Sequence, residues 1–172
     1  MSIKLIPLNI GHNQFVFKLL SNPLVDKFNT LGIHHDFSET EDYILELLDN
    51  DLSDNEKTFI ISEKGNEIGM ISIQFSNPKY NSASIWYKLH PDFWNKGYAT
   101  RAVSLLVKRG FEIYNLHRIE AGCAIDNIGS QRVLEKCGFK KEGRKEKVLP
   151  LKSGWSDAFM YAILRATFLA NQ

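Results

Sequence analysis

The chain has 172 residues, of which 44% are hydrophobic and 24% are charged. This length and composition predict a single domain over residues 1–172 with a buried apolar core. Lys and Arg number 21 and Asp and Glu number 20, which gives a formal net charge of +1. That balance argues against a nucleic-acid coat and against a polybasic membrane binder.

Targeting and metal-binding patterns do not occur in the sequence. No apolar run approaches the ~18 residues that a membrane span needs, and residues 1–7 do not resemble a signal peptide. The two cysteines cannot form a disulfide framework or a four-ligand zinc site, and the five histidines show no ligand spacing. We therefore expect a cytoplasmic protein that binds no metal, nucleic acid or membrane.

The first half of the chain combines short strands with amphipathic helices. Apolar residues at helical spacing predict helices over residues 13–20 and 38–52, the second opened by a Ser38-Glu39-Thr40-Glu41 capping box. Alternating and β-branched runs predict strands over residues 3–8, 58–62, 68–73 and 83–89, with a Gly65-Asn66 hairpin turn between the second and the third.

The second half contains the clearest helix, which begins after Gly97. Its apolar residues recur on one face from Ala99 to Phe111. A shorter helix over residues 128–137 ends at Gly138, and strands are predicted over residues 118–125, 139–148 and 155–168, the last two joined by residues 150–154. This order of elements favours an α+β (α/β layered) fold around a mostly antiparallel sheet.

The loop over residues 92–100 lies between a strand and the N-terminus of the clearest helix. Gly97 and Ala99 let a ligand approach the backbone, and the free amides of the first helical turn suit an anion such as a pyrophosphate. A glycine also serves such a turn for purely conformational reasons. The loop matches neither the Walker pattern nor the Gly-x-Gly-x-x-Gly dinucleotide pattern.

A second segment follows about 30 residues later. It reads Asn127-Ile128-Gly129-Ser130, then Glu135-Lys136-Cys137-Gly138-Phe139 and Glu142-Gly143. Asn127 can cap the short helix and Ser130 lies in its first turn, so both present polar groups where the preceding strand ends. A capped structural helix would account for the same residues.

The two segments, in this order and spacing, resemble the GNAT superfamily of acetyl-CoA-dependent N-acetyltransferases, and within it the ribosomal-protein N-terminal acetyltransferases of the RimJ/RimL type. Gly97 and Ala99 fit the superfamily's cofactor loop, whereas Trp94 and Asn95 depart from it. The resemblance implies the single-domain acyl-CoA N-acyltransferase fold. That fold is a mixed, mostly antiparallel, twisted sheet of about seven strands flanked by about four helices, with the fourth and fifth strands splayed.

The resemblance also implies where acetyl-CoA would bind. Pantetheine would lie along Tyr87, Lys88, Leu89 and His90. The pyrophosphate would rest on the amides of Asn95, Lys96, Gly97, Tyr98, Ala99 and Thr100, and the thioester would lie near Asn127 and Ser130.

The implied chemistry is direct attack of an amine on the thioester. Ser130 matches the position of the acid that protonates the departing thiolate, and an amide near Leu89 would stabilise the oxyanion. The base is not identified, because Ser84 and Leu149 stand where relatives carry glutamate. The open candidates are Glu142, His90, Tyr87 and Tyr161.

The acceptor is inferred from charge. Nine acidic residues and no Lys or Arg lie between Asp36 and Glu56, so we expect this helix to wall the acceptor cleft and attract a cationic amine. The leading interpretation is acetylation of the N-terminal α-amine of a ribosomal protein by a monomer or homodimer. The alternatives are a small-molecule acetyltransferase acting on an aminoglycoside or polyamine, and a non-catalytic acyl-CoA-binding regulator.

Overall fold

A computed structural model describes residues 2–170 of the chain. Its centre is a seven-stranded sheet in the order β1-β2-β3-β4-β5-β7-β6. Neighbouring strands are antiparallel except for the parallel pair β4–β5, which confirms the mixed, mostly antiparallel sheet. The strands are β1 (Ile3–Pro7), β2 (Glu56–Glu63), β3 (Asn66–Phe75), β4 (Ser82–Leu89), β5 (Arg118–Ala124), β6 (Lys140–Leu151) and β7 (Gly154–Leu164).

In the described part of the chain, four α-helices of eight residues or more flank the sheet, together with two shorter α-helices and the 3-10 helices Ile10–His12, Pro78–Tyr80 and Pro91–Phe93. The longer helices are α1 (Asn13–Leu20), α3 (Phe37–Leu52), α4 (Tyr98–Glu112) and α5 (Ile128–Lys136), and the shorter ones are α2 (Pro23–Asp26) and α6 (Arg165–Ala170). Within residues 2–170, no helix combines the length and apolar character needed to cross a membrane.

The two faces of the sheet carry separate cores because successive strand residues point to opposite faces. Ile61 packs in the core beneath α4, whereas its neighbour Ile60 packs in the core beneath α1 and α3. On β4, Ile85 lies on the α4 face and Trp86 contacts the core of the opposite face. Side chains of β4 therefore reach both sides of the molecule.

Strands β4 and β5 pair over a short stretch and then separate. Their register contains three pairs, Ser82–Arg118, Ala83–Ile119 and Ser84–Glu120. Because β4 continues to Leu89 and β5 to Ala124, the edge of β4 beyond Ser84 has no neighbouring strand on that side within residues 2–170. The predicted splay between the fourth and fifth strands is thereby confirmed.

Helix α3 begins at a different cap from the one predicted. The Asp36 carboxylate accepts hydrogen bonds from the amides of Ser38 (2.7 Å) and Glu39 (3.3 Å), and Glu39 reaches back to the His35 amide at 2.8 Å. The predicted capping box at Ser38 is therefore wrong. The reciprocal pattern lies two residues earlier, because a carboxylate can accept two first-turn amides at once.

Several other boundaries differ from the sequence-based expectations. The β2–β3 turn is centred on Lys64 and Gly65, which both have positive φ, and Asn66 already belongs to β3. The β6–β7 connection is confined to residues 152–153. Strand β7 ends at Leu164, and α6 follows because Phe168 packs against Phe111 with ring centroids 5.1 Å apart.

Candidate active site

A cleft of about 840 Å³ opens where β4 and β5 separate. One side is lined by the N-terminal residues of α4 and α5, and the other by residues around α2, with β4 between them. The cleft therefore passes from the α4 face of the sheet to the α2 face. We call the part lined by Leu24, Val25, Lys27, Phe28, Asn29, Thr30, Trp86 and Lys88 the α2 end.

The loop before α4 has the backbone conformation that the predicted anion cradle requires. Gly97 is the N-cap residue with φ +78° and provides no side-chain cap, so the amides of Tyr98, Ala99 and Thr100 at the start of the helix lack intrahelical partners. A Cβ at Gly97 would meet nothing within 4 Å, which means that the backbone conformation, not lack of space, requires glycine here. These features fit a bound pyrophosphate.

Trp94 ties this loop to the sheet. Its indole Nε1 donates a hydrogen bond of 2.9 Å to the carbonyl oxygen of Leu89, the last residue of β4. The departure from the superfamily's loop pattern at Trp94 thus has a local structural role. It fixes the distance between the loop and the open edge of β4.

Ten of the twelve predicted cofactor residues line the cleft, and two do not. The ten are Tyr87, Lys88, Leu89, Asn95, Gly97, Tyr98, Ala99, Thr100, Asn127 and Ser130. The two others, His90 and Lys96, are not among the lining residues; His90 Nδ1 accepts from the Asp92 amide, and Lys96 Nζ donates to the Asp92 carbonyl at 2.7 Å.

Ser130 is held at the N-terminus of α5 by two neighbours. The Asn127 side-chain oxygen accepts a hydrogen bond of 3.1 Å from the Ser130 amide, and the Tyr87 hydroxyl lies 2.7 Å from Ser130 Oγ. Burial raises the pKa of the Tyr87 phenol above its usual value, so this group is a neutral hydroxyl at physiological pH, and either hydroxyl can donate to the other. The hydroxyl pair faces the place where β4 and β5 separate.

The predicted base candidates are mostly outside the cleft. Glu142 forms an ion pair with Arg118, and the hydrogen bonds from Arg118 lower the pKa of the Glu142 carboxyl. The Tyr161 hydroxyl donates a hydrogen bond of 3.3 Å to Glu135. Neither lines the cleft, nor does Ser84, whereas Tyr87 and the apolar Leu149 do.

Comparisons with known proteins agree with this geometry. Residues 3–140 match the family described as the acetyltransferase (GNAT) domain. The chain belongs to the GNAT acetyltransferase family.

Other N-acetyltransferases are similar to this chain in sequence, and solved structures are similar to it in fold. The chain is 32% identical over 153 residues to the uncharacterized N-acetyltransferase YnaD of Bacillus subtilis, covering 88% of this chain and 86% of that protein. It is 26% identical over 161 residues to a spermidine N(1)-acetyltransferase of Vibrio cholerae (92% and 91% covered). The structure of Mycobacterium smegmatis RimJ in complex with CoA-disulfide superposes with a TM-score of 0.88 at 21% identity (98% and 88% covered). The family identifies this chain as an acetyl-CoA-dependent N-acetyltransferase.

The charges that line the cleft of this acetyltransferase are mainly positive. Among the described lining residues Lys27, Lys88, Arg132 and Lys136 are basic and Asp126 is acidic. All nine acidic residues between Asp36 and Glu56 are described by the structure, and none lines the cleft. The prediction that this helix walls the acceptor cleft is therefore wrong. Helix α3 packs through Ile44 and Leu47 against α1 and β2, which leaves most of its acids facing solvent.

The sequence analysis named Lys88 of the GNAT site only as part of the strand along which pantetheine would lie. It did not predict the surroundings of the Lys88 side chain. Its Nζ lies 4.2 Å from the centroid of the Trp86 ring, and Trp86 Nε1 donates to buried Glu56 at 2.7 Å. Burial lowers the pKa of Lys88 to about 8, although Glu56 and Asp26 oppose the shift. The signal for this cluster was the alternation of β4, which places Trp86 and Lys88 on the face opposite Tyr87.

Proposed function

We propose that this acetyltransferase modifies the α-amine of a protein N-terminus, as a RimJ/RimL-type enzyme. The observation that carries the proposal is the charge of the α2 end, where Lys27 and Lys88 line the cleft. A polyamine carries several positive charges, and Lys27 together with the resting, protonated form of Lys88 would repel them. A peptide N-terminus brings one amine followed by carbonyl oxygens, which can accept hydrogen bonds from lysine.

The cofactor fits the remaining part of the cleft. The pyrophosphate of acetyl-CoA would rest on the amides of Tyr98, Ala99 and Thr100, and Arg132 and Lys136 at the same side of the cleft supply positive charge for the phosphates. Pantetheine would lie along the open edge of β4. These assignments leave the α2 end for the acceptor.

In the proposed reaction the acceptor amine attacks the thioester carbon directly. An amide near Leu89 stabilises the oxyanion, and the Ser130 hydroxyl gives its proton to the departing sulfur. The position of Ser130 beside Tyr87 at the splay between β4 and β5 supports this assignment.

A polyamine acceptor is the second candidate, because a relative that aligns over 92% of this chain is a spermidine N(1)-acetyltransferase. The two proposals differ in the sign of charge that the α2 end should present. The basic residues found there favour the peptide.

The test compares acceptors at equal acetyl-CoA concentration. We would measure kcat/KM for a peptide with a free N-terminus, the same peptide with a formylated N-terminus and one internal lysine, spermidine, and an aminoglycoside. The peptide proposal expects the free peptide to exceed spermidine by at least ~10-fold, or about 1.4 kcal/mol, and the formylated peptide to be inert. The opposite ranking would establish a polyamine enzyme, and saturable acetyl-CoA binding without turnover of any amine would indicate a regulator.

A further inference from the structure

We propose that the side chain of Lys88 accepts the proton of the acceptor's ammonium group during acetyl transfer. The proposal rests on the proposed amine acetylation but not on whether the amine belongs to a peptide or a polyamine. Lys88 would thus be the general base. Ser84 and Leu149, at the positions where relatives carry glutamate, cannot act as one. Three observations carry the proposal: the position of Lys88 in the cleft, its lack of a fixed partner, and the charges that surround it.

The position of Lys88 follows from strand alternation. Tyr87 and Leu89 contact the core on the α4 face, so Lys88 projects to the α2 face, where the acceptor is proposed to enter. Lys88 and Trp86 are both lining residues of the cleft, and the Lys88 ammonium lies over the Trp86 indole. The Trp86 ring is held in turn by its hydrogen bond to Glu56.

The ammonium of Lys88 lacks the partners that a half-buried lysine normally has. Within residues 2–170 its Nζ forms no hydrogen bond or ion pair and instead lies over the Trp86 ring. Lys57 provides the contrast, because its Nζ lies 2.8 Å from Asp51 and 2.7 Å from Asp54. A lysine fixed in that way is committed to the charged form, whereas Lys88 can exist in either form.

Titratable groups from four neighbouring segments act on this site. Glu56 of β2 and Asp26 of α2 favour the charged form of Lys88, and one carboxylate oxygen of buried Asp26 has no hydrogen-bond partner in the described part of the chain. His34, before α3, has its pKa lowered chiefly by burial, with a smaller contribution from Lys88. Tyr43 of α3 has its pKa raised by burial and by Glu56. The two carboxylates thus stabilise a proton that arrives on Lys88 without themselves contacting Nζ.

The proton and electron balance is complete without another reactant. Neutral Lys88 removes one proton from the acceptor ammonium, and the freed nitrogen lone pair forms the C–N bond to the acetyl carbon. The C–S bond breaks, the Ser130 hydroxyl protonates the sulfur, and the second proton of the nitrogen restores that hydroxyl. The products are the amide, the CoA thiol and a protonated Lys88, which then releases its proton to solvent.

The kinetic test uses Lys88→Arg and Lys88→Met, with Lys18→Met on the exposed face of α1 as the matched control. The acceptor is whichever of the free peptide and spermidine the wild-type protein acetylates faster, so that wild-type turnover tests the function and the variants test Lys88. We expect both Lys88 variants to lose ~100-fold or more in kcat, as for removal of a general base, with unchanged affinity for acetyl-CoA. Activity of Lys88→Arg within a few-fold of wild type would overturn the proposal, because a permanent cation would then suffice.

The pH profile and a direct titration give readouts that a structural role would not move. At saturating acceptor, the wild-type kcat should rise with pH through a midpoint near pH 8 and level about one pH unit above it, and this rise should disappear in both Lys88 variants. In the wild-type protein labelled with ¹³C-lysine, the ε-carbon signal absent from Lys88→Arg should titrate well below the ordinary lysine pKa of about 10.4. An ordinary midpoint, or an unchanged pH profile in the variants, would overturn the assignment.

Discussion

The Tyr87 hydroxyl lies 2.7 Å from Ser130 Oγ and thereby links β4 to the first turn of α5 across the cleft. When Tyr87 donates in this hydrogen bond, the proton of Ser130 is free to point toward another acceptor. In the proposed reaction that acceptor is the sulfur of the departing CoA. In that proposed reaction Tyr87 would be a positioning residue for Ser130.

This relationship predicts strong coupling between the two hydroxyls. Ser130→Ala should lower kcat by ~100-fold, in the range for loss of a general acid, and Tyr87→Phe should lower it by a smaller factor. The double variant should be no slower than Ser130→Ala, because Tyr87 acts through Ser130. A double-mutant cycle on kcat checks this, with acetyl-CoA affinity measured in each variant; multiplicative effects would contradict the coupling.

A charge at position 97 should block the anion cradle. Gly97→Glu places a carboxylate where the structure leaves open space beside the α4 amides, so it should weaken acetyl-CoA binding by ~10-fold or more through repulsion of the phosphates. Gly65→Glu is the matched control, because Gly65 also has positive φ and open space around its Cβ position but lies in the β2–β3 turn. Calorimetry should show normal affinity for that control, and equal weakening in both variants would exclude a cradle at Gly97.

Gly69 and Gly110 should differ in their tolerance of a methyl group. A Cβ at Gly69 would clash with the backbone carbonyl of Lys88 and lie 3.1 Å from Leu89 Cα, whereas at Gly110 it would meet the terminal methyl of Ile119 at 2.6 Å. Gly69→Ala should therefore cost about 2 kcal/mol of unfolding free energy and displace the Leu89 amide. Gly110→Ala should stay within about 1 kcal/mol of wild type, since side-chain movement and helix propensity offset the contact.

Denaturant unfolding measures both free energies, and kcat reports the Leu89 displacement. Comparable losses of unfolding free energy in the two variants would contradict this prediction. They would show that the backbone near Gly69 moves as readily as the Ile119 side chain.

The stability of the β6–β7 hairpin should depend on pH through Asp157. Asp157 accepts hydrogen bonds from the Lys147 amide (2.9 Å) and from Arg144 Nε (2.6 Å), and these bonds lower the pKa of its carboxyl. A lowered folded-state pKa stabilises the protein above the unfolded pKa, and that contribution disappears as the pH falls through the folded pKa.

Asp157→Asn should accordingly lower Tm at pH 7, and its difference from wild type should shrink below about pH 4. Asp49→Asn on the exposed side of α3 serves as the control and should follow wild type throughout. A Tm difference for Asp157→Asn that is independent of pH would show that packing, rather than charge, is responsible.

Sequence patterns located most of the elements because their signals are long and periodic. Helix α1 was predicted with its observed bounds, Asn13–Leu20, and the helix after Gly97 follows its apolar face through Phe111. Helix α2 was missed, since four residues behind an Asn22 cap provide no periodicity. The continuation of β7 to Phe168 failed because the choice between strand and helix there depends on a contact with Phe111, which is distant in sequence.

The sequence predicted the parts of the candidate site that depend on local backbone conformation. It did not predict the parts that depend on contacts between residues distant in the chain. Gly97 identifies its loop from sequence because the turn requires glycine there. The contact of Lys88 with Trp86, and the hydrogen bond from Trp86 to Glu56, join β4 to β2 and depend on the folded structure. The acidic run before Glu56 misled the charge argument in the same way. Counting charges along a chain does not reveal which face of a helix meets the cleft.

The three residue pairs that join β4 to β5 set a limit on how rigid this enzyme can become. They are the seam between a four-stranded half, β1 to β4, and a three-stranded half, β5, β7 and β6. Continuing the ladder beyond Ser84 and Glu120 would add backbone hydrogen bonds and strengthen the sheet, but it would also close the cleft. Selection for a sturdier fold and selection for acetyl transfer therefore oppose each other at this seam.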